Sequence, residues 1–68
     1  MDMRKTGERI KGLRGSKTAG QVALSVGISE AALTAYEAGE REPRDEVKLA
    51  LARHYGLSLE ALFFTEQG

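Results

Sequence analysis

Between Thr18 and Gly39 the chain carries two helix starts and two helix stops in quick succession. Thr18 and Ser29 each precede a helical run, where a hydroxyl can accept a bond from an orphan backbone N–H. Gly27 lies between the runs, where the chain must leave the first helix in a conformation that penalises a Cβ. Val22, Ala23 and Val26 form one apolar face before this point, and Ile28, Leu33 and Tyr36 continue it afterwards. Small Ala23 lets the second helix cross closely. The segment therefore folds as two short helices crossing at a tight turn.

The flanking sequence extends this pattern without repeats, linkers or low-complexity stretches. A first helix runs from about Met3 or Thr6 to Arg14, with Met3, Ile10 and Leu13 on one face, and Gly15-Ser16 ends it. The second runs from Ala19 to Val26, and the third from Glu30 to Ala38 with Gly39 as its stop. A charged loop reaches Pro43, which has no N–H and belongs at a helix entrance. The fourth helix spans Asp45 to Tyr55, with acidic residues at its positive end and Val47, Leu51 and Tyr55 at four-residue spacing. Gly56 ends it. Ser58 caps a last helix from Leu59 to about Phe64, with Leu59, Leu62 and Phe63 inward. Nothing alternates with period two over a useful length. The expectation is an all-α fold of five helices in one domain, residues 1–68.

A chain of 68 residues has a thin core, since a domain this size buries only roughly 60% of its unfolded surface. With no cysteine, stability must come from close helix packing, a partner chain, or both. The absence of thiols fits a reducing cytoplasm. No apolar run approaches a membrane span and no signal-peptide pattern is present, so no membrane is expected. His54 is alone on the polar side of the fourth helix. No nucleophile–base pair, phosphate-cradling loop or ligand cluster is found. A non-enzyme without cofactor, metal or small-molecule ligand is expected.

Net charge is zero, yet it is unevenly spread. Residues 1–17 hold Arg4, Lys5, Arg9, Lys11, Arg14 and Lys17 against Asp2 and Glu8. The remainder holds four basic residues against eight acidic ones. A basic N-terminal quarter suits phosphate, whereas the acidic remainder suits a solvated mixed surface.

Two helices crossing at such a turn form a helix-turn-helix, commonly used to set the second helix in the DNA major groove. The whole chain resembles the phage repressor and Cro type of this fold, the xenobiotic-response-element family. The matching blocks are Gly7–Arg14, Val22-Ala23 through Val26–Ser29, Tyr36–Pro43, and Tyr55–Phe63. The resemblance implies five helices around one core, bacterial or phage origin, transcriptional regulation, and binding of double-stranded DNA as a homodimer. The short Gly15–Thr18 connection and the run Pro43–Lys48 look like one branch of that family.

Residue roles follow from the resemblance. Ser29, Glu30, Ala31, Thr34 and Ala35 would face base edges. Only three of them can hydrogen-bond, and one is an anion that repels phosphate. Glu30 can accept from a cytosine amino group, and the alanines can touch a thymine methyl. Lys17 and Thr18, at the start of the second helix, would meet phosphate where the helix dipole already favours an anion. Arg41 and Arg44 would reach the DNA backbone from the loop, although Arg41 can instead pair with Glu40 or Glu42. Arg14 and Glu37 would form an ion pair locking the third helix to the first. Leu57, Leu59 and Phe64 would form a dimer seam, unless Phe64 folds back on its own domain.

Two functions stay open at this level. One is an operator-binding regulator controlled by its own concentration or by a regulatory protein partner. The other is a protein-interaction module, antirepressor- or antitoxin-like, with weak DNA affinity. The acidic Glu30, Glu40 and Glu42 favour the second, as does an apolar outer face of Leu24, Ala31, Ala35 and Ala38. A folding domain altered at its DNA face is a third reading.

Overall fold

The computed structural model describes residues 2–64. Its elements are α1 (Met3–Arg14), α2 (Ala19–Val26), α3 (Glu30–Glu37), α4 (Asp45–Tyr55) and α5 (Glu60–Phe64), and no strand occurs among the described residues. Local chemistry sets most of the boundaries. Asp2 accepts from the Arg4 N–H at 2.9 Å to start α1. Thr18 and Gln21 cap α2 reciprocally, each side chain accepting from the other's backbone N–H at 3.1 Å. Ser29 accepts from the Ala32 N–H at 3.0 Å to start α3. Each such cap stabilises its helix by about 1 kcal/mol.

The turn between α2 and α3 closes through Gly27 at φ +88°. The Gly27 and Ile28 N–H groups both donate to the Ala23 carbonyl, at 2.8 and 3.0 Å. A left-handed residue here redirects the chain within one step, which a Cβ would oppose. α3 stops at Glu37, one residue before the expected Ala38. Ala38 instead occupies the cap, and its N–H still returns to the Thr34 carbonyl.

Ile10, Val22, Ala23, Leu33, Leu51, Ala52, Leu62 and Phe63 form one buried cluster. Val26, Ile28, Val47 and Tyr55 pack partly against it. α3 crosses both α1 and α2, α4 packs on α2, and α5 closes the far side against α1. Burying each of the large aliphatic side chains contributes about 1.5–3 kcal/mol.

Two inward assignments are corrected. Leu13 is 40% exposed, because three residues beyond Ile10 it stands about 60° off the stripe that α3 and α5 cover. Leu59 is also exposed. The wide, π-type turns of α5 carry Leu62 and Phe63 to the core and leave Leu59 at the rim.

Candidate functional site

α3 has two unlike sides. Leu33, Tyr36 and Glu37 are buried, while Glu30, Ala31 and Thr34 face solvent beside exposed Ser29, and Ala35 is half-buried. The outward hydroxyls are partly engaged. The Ser29 oxygen accepts its capping bond, and Thr34 Oγ1 donates to the Glu30 carbonyl at 2.9 Å. Ser29 keeps its O–H donor and Thr34 keeps acceptor lone pairs. The Glu30 carboxylate lies back toward the first turn of α2, where a Cβ on Gly20 would stand 3.3 Å from Oε1.

The inward side is clamped to α1 at three points. Gly7 lies directly on the C-terminal carbonyls of α3. A Cβ there would overlap the Glu37 carbonyl oxygen and stand 2.6 Å from that of Tyr36. Gly39, at φ +77°, lets the chain leave α3 against Arg4, where a Cβ would stand 2.9 Å from the Arg4 Cα. Arg14 grips Glu37 with both arms, Nε to Oε2 at 2.8 Å and Nη2 to Oε1 at 3.0 Å. The two side chains are only 17% and 6% exposed. A third bond, from Arg14 Nη1 to the Lys17 carbonyl at 2.9 Å, ties the same guanidinium to the chain entering α2. The hydrogen bond to Glu37 holds the Arg14 guanidinium above its already high pKa range.

Tyr55 of α4 belongs to this neighbourhood. Its hydroxyl is buried without a hydrogen-bond partner among the described residues. Burial, then the Glu37 charge, push its pKa above the ordinary 10.0, with Arg14 opposing.

The basic residues expected at phosphate occupy the rims. Lys17 and Thr18 are exposed at the start of α2. Arg41 and Arg44 are exposed after α3 and line one open cleft of about 420 Å³ with Tyr36, Glu42, Glu46 and Val47. Glu42 pairs with neither arginine. Its Oε2 accepts from Lys48 Nζ at 3.0 Å. Among the described residues, the side chains of Arg41 and Arg44 make no ion pair or hydrogen bond.

Leu57 and Leu59 are exposed beside α5, while the Phe64 side chain lies outside the described residues. Leu24 is 84% exposed, and it borders a cleft of about 350 Å³ with Lys17, Gln21, Val22, Ser25 and His54. His54 is half-buried rather than exposed, edge-on to the Tyr55 ring with centroids 4.8 Å apart. Among the described residues no cluster of three or more metal-ligating side chains occurs, and no helix is long and apolar enough to cross a membrane.

Sequence reasoning missed three residues. Lys48 is nearly buried, with Nζ 5.8 Å from the Phe63 ring centroid; its spacing to Leu51, Ala52 and Tyr55 was the available signal. Gly7 was signalled only as a glycine inside a helical pattern. Arg9 Nη1 donates to the Leu62 carbonyl at 2.7 Å across the whole chain, a contact that periodicity does not reveal.

A family model described as a helix-turn-helix domain matches residues 6–62. No curated protein and no solved structure matches the chain.

Proposed function

Because the chain belongs to the helix-turn-helix domain family, a family of DNA-binding regulators, we propose that it is a sequence-specific, Cro-like transcriptional regulator of the xenobiotic-response-element type. α3 enters the major groove with Ser29, Glu30, Ala31, Thr34 and Ala35 toward the bases. Lys17, Thr18, Arg41 and Arg44 hold phosphates on either side. Two copies, meeting through Leu57, Leu59 and Phe64, read half-sites about 34 Å apart. The chain binds and does not catalyse, in the cytoplasm of a bacterium or phage host.

The single observation that carries this reading is the solvent-facing side of α3, left open by every other described element while its opposite side is buried and pinned to α1. The remaining hydrogen-bonding capacity is small. Specificity therefore leans on thymine methyls against Ala31 and Ala35, a cytosine amino group against Glu30, and DNA shape.

The test is binding to random and genomic duplex fragments as salt is raised. The log of the affinity should fall steeply with the log of salt concentration, and genomic sites should be retained after random DNA is lost. Negligible, salt-independent binding at low salt would sink the reading. It would favour the protein-interaction module, which the exposure of Leu24 beside a cleft supports.

A further inference from the structure

Glu42 sits in sequence between two near arginines, and all three line the cleft after α3. A carboxylate flanked in sequence by arginines has a planar, bidentate partner to compete for it. It bonds Lys48 instead, at 3.0 Å, leaving both guanidinium groups unpaired among the described residues. The asymmetry has a physical cause. The Lys48 side chain is 11% exposed and its ammonium faces the Phe63 ring, so its attraction for Glu42 is less screened than that of an exposed arginine. The loop backbone is anchored on both sides. The Glu40 N–H donates to the Ala35 carbonyl before it, and the Val47 and Lys48 N–H groups donate to the Arg44 carbonyl after it. Within that fixed loop, the partner chosen by Glu42 decides how many cations face outward.

We propose that Lys48 is a positioning residue for DNA binding: by holding Glu42 it keeps Arg41 and Arg44 free to meet phosphate. Lys48 itself touches no DNA. This rests on the DNA-binding reading above and assigns a residue that reading does not use.

Three variants and a control test it. Lys48→Met keeps an unbranched apolar stem beside Phe63 and releases Glu42 onto an arginine. Binding to random duplex DNA at low salt should weaken about tenfold, as expected for one lost charge-assisted contact, and the salt slope should shrink by about one unit per chain. Glu42→Gln leaves nothing to trap an arginine and should keep the full slope. Were the Lys48–Glu42 bond merely shaping the loop, it would weaken binding as Lys48→Met does, and that result overturns the proposal. Lys48→Met/Glu42→Gln should restore the slope. The charge-matched Lys48→Met/Glu8→Gln should not, and equal rescue by both would overturn the proposal in favour of net charge alone.

A second readout needs no DNA. In Lys48→Met the Nε–H NMR signal of Arg41 or Arg44 should shift and exchange more slowly with water, and it should revert in the double variant. Unchanged arginine signals overturn the role of Lys48. Absent DNA binding by the unaltered chain, with those signals moving as expected, overturns the functional reading instead.

Discussion

The two sides of α3 differ in how much each residue is constrained. On the inner side every position has a specific neighbour. Leu33 fills the core, Glu37 takes both arms of Arg14, and the terminal carbonyls lie against Gly7 with no room for a methyl group. On the outer side Ala31 is exposed to solvent, and the two hydroxyls satisfy the helix's own backbone. One helix thus has a side that is held and a side that is left open. Its orientation is set from behind by α1, while the surface it presents is left almost without structural duty.

The largest test of that contrast is Gly7→Ala against Ala31→Ser. The first must push α1 off α3 and should cost about 3 kcal/mol. The second should change stability by less than about 0.5 kcal/mol. Thermal melting of the two variants checks this, and equal losses would erase the distinction.

Next in size is the clamp. Arg14→Met leaves the Glu37 carboxylate nearly buried without its partner, so it should melt well below the unaltered chain. Arg14→Met/Glu37→Gln removes that stranded charge and should melt above the single variant, since breaking one half of a buried pair is worse than replacing both. A double variant less stable than Arg14→Met would show that the pair is not the inner anchor.

A smaller effect lies in Tyr55, behind the clamp. Its folded-state pKa is raised by burial and then by Glu37, so the fold favours the neutral phenol. That contribution is complete below the ordinary 10.0 and is lost as pH rises through the higher folded value. Denaturant midpoints should therefore fall in alkali, and Tyr55→Phe should blunt the fall. At neutral pH Tyr55→Phe should cost nothing, because among the described residues the buried hydroxyl has no partner to lose. An identical alkaline fall in both chains would count against this.

The smallest structural effect belongs to Glu30. Glu30→Gln should lower melting only slightly, by the loss of an anion at the positive end of α3, yet, under the DNA-binding reading, tighten binding to random DNA about threefold at low salt, because an anion leaves the proposed phosphate-facing surface. Weaker binding would mean that the carboxylate contributes a contact of its own.

What could be read from the chain follows the same division. The start of α2 and the stops of α1, α2 and α4 were legible because Thr18, Gly15, Gly27 and Gly56 act within a few residues of themselves. The buried stripe through Ile10, Val22, Leu33, Leu51 and Leu62 was legible from helical spacing. Leu13 and Leu59 were misplaced because periodicity gives a direction around a helix and not the extent of what covers it. Contacts distant in sequence left no local trace. The bond from Arg9 to the Leu62 carbonyl joins the two ends of the domain, and Gly7 matters only because α3 ends where it does. At the candidate site, the helix start at Lys17 and the family resemblance at Arg41 and Arg44 supplied the expected phosphate contacts. That Glu42 would choose Lys48 over its neighbours depends on a burial that composition cannot express.

The solvent exposure of Ala31 has an evolutionary consequence. A domain this small tolerates few destabilising changes before it unfolds, so most of its residues are not free to drift. Position 31 is an exception: a new side chain there alters what the protein touches outside without disturbing what holds it together. Under the DNA-binding reading, descendants of this chain can acquire new targets by substitutions at that spot while keeping the same fold.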